Sequence, residues 1–413
     1  MTTLESNYMA NLASFFHSGQ RIFVAGSSNE PTALLEKLAE TELPRDLHFI
    51  QFPLAGYNRC DFTALAPDTR LTTFFMTPHL RDADPERLEY LPMQMRAVYD
   101  HLSSGVDVVL LQVCRNAAGK LCIGPNIDFI EAALGCAHTV IAELNHGFVA
   151  PAGCPTIDAQ RIDHMLDSDR ALFEIAAPRI DAAAQRIGEL VAELIRDGDC
   201  IQTGIGGIPA AILARLDDKN DLGMHGGIVD DGGMRLIRNG NINGNNKPLD
   251  TGRHVAGMAL GSRELIDWLA QSPEVLFRGA NYTHEVRVIA ELPQFVSVNS
   301  AVEVDLYGQV NAEVAGGRQI SGTGGSVDFM RAAKASAGGR SIVAMNATAR
   351  KGVVSRIVPK VELVTALRTD VDMVVTEFGV ARLKSMPVRE RALALIDIAA
   401  PDFRDGLRAR LPA

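Results

Sequence analysis

Short apolar runs alternate with longer stretches of three- and four-residue hydrophobic spacing along most of this 413-residue chain. Arg21-Ile-Phe-Val-Ala-Gly26 reads as a strand closing on a glycine turn, and residues 31–40 read as a helix with Pro31 in its first turn. Val106-Asp-Val-Val-Leu-Leu-Gln-Val113 is a near-continuous apolar strand, residues 129–134 a short helix, and residues 139–144 another strand. Strands apolar on both faces, separated by helices, predict a parallel sheet covered on each side. The strongest helical pattern spans 178–197, where Ile180, Ala184, Ile187, Val191, Leu194 and Ile195 share one face and Gly198 suits the stop. The alternation restarts at Cys200-Ile-Gln-Thr203, with further strands expected near 296–298, 341–345 and 373–376 and a helix from Pro387 to about Ala399. No glycine- or serine-rich linker divides the chain, so two closely packed α/β domains are expected, residues 1–177 and 178–413.

Composition narrows the partners. Hydrophobic residues make up 47% and charged residues 22%, and the net charge of −10 disfavours nucleic acid or an anionic membrane. It leaves room for a small anionic ligand held by backbone dipoles. The six cysteines form no CxxC pair and read as buried or half-buried thiols in a reducing compartment. The ten histidines show no metal-ligand spacing, so no metal is expected. The N-terminal residues carry no basic region followed by an apolar run, and no run of 18 apolar residues occurs, which predicts a cytoplasmic protein.

Two glycine-rich loops carry the candidate chemistry. Gly204-Ile205-Gly206-Gly207-Ile208-Pro209 joins a strand to a helix, where backbone N–H groups can hold phosphate or a developing oxyanion. Pro209 breaks the GxGxxG dinucleotide pattern, and an ordinary tight turn explains the loop equally well. Ser321-Gly322-Thr-Gly324-Gly325 precedes a helix expected from about Phe329, and its small residues admit a ligand close to the backbone.

Together with Leu222-Gly-Met-His225, Asp231-Gly232, Leu260-Gly-Ser262, residues 298–306 and 308–311, Ser355-Arg-Ile-Val-Pro359 and Val375-Thr-Glu-Phe-Gly379, these loops follow a familiar order. The chain resembles the acetyl-CoA hydrolase/transferase family of class I CoA-transferases, most densely from residue 185 onward. The resemblance implies two tandem CoA-transferase-like α/β domains with mainly parallel sheets, coenzyme A as thioester substrate and a homodimer. It places CoA along Gly204, Ile205, Gly206, Gly207, Ile208, Gly322, Gly324 and Gly325, with Val302 and Lys351 as weaker carry-overs. In such proteins a glutamate attacks the thioester and carries CoA covalently, and glycine-loop amides stabilise the oxyanion.

This sequence departs from the pattern where that glutamate belongs. Leu222-Gly-Met-His225-Gly226-Gly227 puts Gly227 in its place, with the register fixed by Asp231-Gly232. His284 falls at or beside the position of the family's thioester-polarising asparagine, and Cys114-Arg-Asn-Ala-Ala-Gly119 replaces a proline-rich acidic segment. The expected catalytic residues are therefore His284, His225 and Gly325, with a histidine as general base toward water, although His225 serves equally well as a structural residue. Acyl-CoA hydrolysis or other non-covalent acyl-CoA chemistry is the expected activity. The alternatives are an ordinary carboxylate CoA-transferase using Glu285, Glu303, Glu313, Asp230 or Asp231, and a non-catalytic CoA-thioester-binding protein or subunit.

Overall fold

Each half of the chain builds a parallel sheet whose first strand has neighbours on both sides. A computed structural model describes residues 12–412. In the first sheet, β1 (Arg21–Val24) lies between β2 (His48–Gln51) and β5 (Val108–Arg115), parallel to both, with Phe23 facing Ile50 and Val109. The chain winds outward from β1 through β2, β3 (Arg70–Thr73) and β4 (Leu88–Tyr90). It then crosses back to β5, from which β7 (Thr139–Asn145) and β8 (His164–Ser168) extend, while β6 (Leu121–Ile123) folds antiparallel onto β5. Helix α1 (Thr32–Ala39) follows β1, and its first amides are held by Glu143 of β7, whose carboxylate accepts from Ala33 N at 2.8 Å and Leu34 N at 3.2 Å. Leu34, Leu38, Phe49, Phe62 and Ile141 fill the core on this side.

The second sheet repeats the plan. Strand β9 (Cys200–Thr203) lies between β10 (Gly223–Met224) and β11 (Phe295–Asn299), parallel to both. Beyond β11 follow β12 (Arg340–Ala344), β13 (Met373–Thr376) and an antiparallel edge strand β14 (Gly379–Arg382). In both sheets the strand order reverses at the first strand, which opens a crevice beyond the carboxyl ends of its neighbours. The architecture is the mixed α/β fold with mainly parallel sheets that the alternation predicts.

Several boundaries differ from the expectation. Helix α2 begins at Ala182 and ends at Ala192, because the Asp181 carboxylate accepts from Ala184 N at 2.8 Å and caps it there. Ile180 thus precedes the helix and is 44% exposed, off the apolar face assigned to it. Gly198 takes φ 81°, which only glycine adopts at no steric cost, and turns the chain into β9. Helix α3 (Gly207–Leu213) follows the first glycine loop, and α4 (Ser326–Ala335) starts directly after the second, three residues before Phe329.

The chain forms two compact units, 1–174 with 257–281, and 175–256 with 282–413. A single break at 177/178 misses the segment 257–281. Its attachment is made of backbone hydrogen bonds: Ile127 N donates to Gly257 O at 2.9 Å, Ala259 N to Pro125 O at 2.9 Å and Ala280 N to Asp128 O at 2.8 Å. Main-chain pairing of this kind leaves no trace in residue type.

Candidate active site

Within the second unit the first glycine loop follows β9 and is open. Cβ atoms added at Gly204 or Gly206 would meet nothing within 4 Å, Ile205 is 45% exposed, and Gly206 has φ 113°. Gly207, at the start of α3, is different, since a Cβ there would strike the Arg179 carbonyl at 2.7 Å. The backbone is therefore accessible on one side and closely packed on the other. In the second loop Gly324 has φ 54°, and Gly325 precedes the first turn of α4 with no side chain capping the helix.

Gly227 and Gly325 meet at one side chain. A Cβ at Gly227 would lie 3.1 Å from His284 Cε1 and 3.2 Å from Nε2; a Cβ at Gly325 would lie 2.5 Å from His284 Cδ2 and 2.9 Å from Phe329 Cε2. The imidazole thus occupies the space that side chains at 227 and 325 would need. It leans on Phe329, with ring centroids 4.5 Å apart, and Phe329 is anchored in a core with Phe295, Ile289 and Leu292. His284 Nδ1 lies 2.8 Å from Thr283 Oγ1, and both residues are buried. If the hydroxyl donates to Nδ1, the ring proton resides on Nε2, the atom nearest Gly325.

Burial keeps this ring neutral. Loss of solvent, and secondarily the neighbouring His225, push the His284 pKa from 6.5 down to about 3. His225 is likewise pushed to about 3, by burial first and the Lys247 ammonium second, and backbone groups of Tyr282 and Thr283 offset part of the shift. Those contacts fall short of good hydrogen-bond geometry, since neither ring nitrogen of His225 has a partner that meets it. A base with a pKa near 3 takes up little proton at neutrality, so the expected general-base role fits these surroundings less well than a neutral donor role.

Lys247 escaped the sequence reading. Its buried Nζ donates to Arg253 O at 2.9 Å and Met224 O at 3.2 Å, tying the strand that leads to Gly227 to the segment after residue 247. Gln202 and Asn299, buried on the adjacent strands β9 and β11, exchange amide hydrogen bonds at 3.4 and 3.1 Å. The only hint of either in the sequence is a polar residue at the end of an apolar strand.

The alternative acids are committed elsewhere. Asp230 caps its helix by accepting from Gly233 N at 2.8 Å, and Glu285 accepts from Arg287 N at 3.1 Å. Glu303 accepts from Asn311 Nδ2 at 3.0 Å and Glu362 N at 2.9 Å, and Glu313 accepts from Thr365 Oγ1 at 2.8 Å. Asp231 sits in the first turn of the helix that Asp230 caps. Val302 uses both main-chain groups, its N–H to Asn311 O and its carbonyl to Arg356 Nε at 2.7 Å. Lys351 is exposed, with φ 60°, in the turn between Thr348–Ala349 and Val354–Ser355. In the first unit, residues 114–119 lead from β5 into the β5–β6 turn, which Asn116 closes through Ala118 N and Lys120 N, each at 3.0 Å. The structure brings Gly227, Gly325, His284 and His225 together. Among the described residues no group of three or more His, Cys, Asp or Glu side chains could hold a metal ion, and no helix is long and apolar enough to cross a membrane.

Residues 6–159 match the acetyl-CoA hydrolase/transferase N-terminal domain, and residues 261–411 match the corresponding C-terminal domain. The chain is 36% identical over 396 residues to 4-hydroxybutyrate coenzyme A transferase of Clostridium kluyveri, covering 94% of this chain and 92% of the relative. It is 30% identical over 249 residues to an acetyl-CoA hydrolase of Yarrowia lipolytica, covering 59% of this chain and 45% of that one. Among solved structures, RipA from Yersinia pestis superposes with a TM-score of 0.88 at 30% identity, covering 97% of this chain and 96% of RipA.

Proposed function

The chain belongs to the acetyl-CoA hydrolase/transferase family, and from that premise we propose that it acts on an acyl-CoA thioester without a covalent glutamyl intermediate. One observation carries the reading: the His284 imidazole fills the space beside Gly227 and Gly325, where a nucleophilic side chain would project. CoA lies along Gly204, Ile205, Gly206, Gly207 and Ile208 and along Gly322, Gly324 and Gly325, with Val302 and Lys351 beside it.

The reaction assigned to this site is hydrolysis. Water oxygen bonds to the thioester carbon, charge collects on the carbonyl oxygen, the C–S bond breaks as the carbonyl re-forms, and the departing thiolate takes the proton that the attacking water gives up. Amides of the 322–325 loop and a neutral His284 Nε2–H are the donors for that oxygen, and one such donor is typically worth about 10²–10³ in rate. Burial above all, with His225 beside it a smaller contribution, keeps the His284 ring neutral. The commitment of Asp230, Glu285, Glu303 and Glu313 to structural hydrogen bonds supports the absence of a substitute nucleophile.

Intact-mass measurement of protein incubated with acetyl-CoA and butyryl-CoA, with free CoA followed in parallel, tests this reading. Release of CoA with no protein adduct is the expected result. An adduct trapped by borohydride on any Asp or Glu would overturn it in favour of an ordinary transferase, and binding without release would make the chain a thioester-binding protein.

A further inference from the structure

One buried cation of the second unit has no carboxylate partner among the described residues. Lys247 is 3% exposed, and both hydrogen bonds of its Nζ go to neutral carbonyls, Arg253 O at 2.9 Å and Met224 O at 3.2 Å. Its stem lies over Gly223, where a Cβ would meet Lys247 Cγ at 3.0 Å and Cys200 Sγ at 3.1 Å. The acid in its surroundings, Asp250, is half-buried and accepts from Tyr282 Oη at 2.7 Å. An ammonium taken out of water without a carboxylate is costly, and a methionine of similar length would avoid that cost.

The position of this charge is specific. Met224 O belongs to the residue before His225, and Arg253 O to the residue before the strand His254–Ala256. His225 bridges Val255 in parallel, and Gly226 N donates to Val255 O at 3.0 Å. Lys247 thus joins the two segments that meet just ahead of Gly227. Three residues, about 10 Å of extended chain, separate Met224 from that glycine. The titratable groups around the ammonium are His225, His254, Cys200 and Asp250. Burial first and the ammonium second hold His225 down to about 3 and His254 down to about 4. Burial likewise keeps Cys200 a thiol, its pKa raised to about 12.

We propose that Lys247 is a positioning residue of the thioester site, giving positive potential to an oxyanion formed beside Gly325 and His284 while fixing the chain that carries Gly227. The inference rests on the placing of the thioester oxygen at His284 and the 322–325 loop. The donors there are neutral amides and a neutral imidazole. A unit charge about 10 Å away through protein is worth roughly tenfold in rate, or in affinity for an anion. Because the ammonium is buried, salt screens it little. Lys247 touches no substrate and moves no proton in this role; it acts through the field it sets up and the strand it holds.

Two thioether analogues that cannot be hydrolysed test the assignment without turnover. S-carboxymethyl-CoA places a negative oxygen where the oxyanion would form, and S-acetonyl-CoA is its neutral counterpart. In calorimetric titration of the full-length protein, the affinity of the first relative to the second should fall by about tenfold in Lys247→Gln. That side chain is one atom shorter and still a donor, so acetonyl-CoA should bind as before. The variant should melt at the same temperature or higher, because no charge is then buried unpaired. Burial lowers the Lys247 pKa from 10.5, so the wild-type preference should also fade as pH rises toward 10 and the ammonium gives up its proton. Where CoA release is measurable, kcat of Lys247→Gln should drop by the same factor with KM unchanged. An affinity ratio that is the same in both proteins, or that does not change with pH in the wild type, makes Lys247 a structural tie only and overturns the proposal. A charge-dependent ratio in a protein that releases no CoA would leave this assignment standing and overturn hydrolysis instead.

Discussion

The two units share one sheet plan and fill its crevice in opposite ways. In the first, polar groups ring an open cavity, and burial raises the carboxyls of Glu30 and Asp128 to about 7 and about 8. In the second, glycines bring backbone to the surface and two neutral imidazoles pack behind it, their pKa values pushed down to about 3. The same topology thus carries one crevice lined by side chains and one lined by main chain. What separates them is where Cβ atoms are allowed.

The largest expected effect comes from refilling the second crevice. Gly325→Leu drives a side chain into His284 and Phe329, and should cost about 1–3 kcal/mol of stability in urea melts together with all measurable CoA release. Gly227→Glu alone should also destabilise, by up to about 3 kcal/mol, because its Cβ meets the same ring at 3.1 Å. Combined with His284→Asn the cost should shrink, with a coupling of about 0.5–3 kcal/mol in a double-mutant cycle. The pair should also yield a borohydride-trapped glutamyl adduct that neither single variant gives. Equal costs with and without the second change would mean that the ring is not what excludes the glutamate.

Proton linkage should pull the units apart. Histidines with lowered folded pKa values bind fewer protons than in the unfolded chain, so the second unit loses stability as pH falls from about 6.5 toward 3. Carboxyls with raised folded values bind more protons than in the unfolded chain, so the first unit loses stability as pH rises from about 4 through 7 to 8. Each group contributes at most about 1.4 kcal/mol per pH unit. Hydrogen exchange followed by peptide mass spectrometry should show protection moving in opposite directions in the two units, and parallel changes would refute the linkage. The smallest effect is expected from Asp181→Ala, which removes one cap and should cost about 1 kcal/mol.

The strands and glycine loops were legible because burial and backbone freedom leave marks in residue type. β1, β7, β9 and β13 start where their apolar runs start, and both loops sit at strand–helix junctions. The absence of a carboxyl at 227 was equally plain. What the sequence concealed was contact between distant residues: that the His284 ring fills the space at Gly227 and Gly325, and that Lys247 ties down the strand before them. The charge state of the histidines was hidden for the same reason, since desolvation is a property of everything packed around a ring. The polar cavity of the first unit went unread because its residues are scattered over 140 positions and no two form a motif.

The assignment of residues 257–281 to the first unit has a consequence for synthesis. A ribosome releases residues 1–174 well before that segment, with 175–256 emerging between. At roughly 5–20 residues per second the first unit waits on the order of ten seconds for its last piece. During that interval the carbonyls of Pro125 and Asp128 lack the donors that Ala259 and Ala280 later supply. A nascent chain stalled before residue 257, like a fragment that ends at residue 177, leaves both carbonyls without those donors.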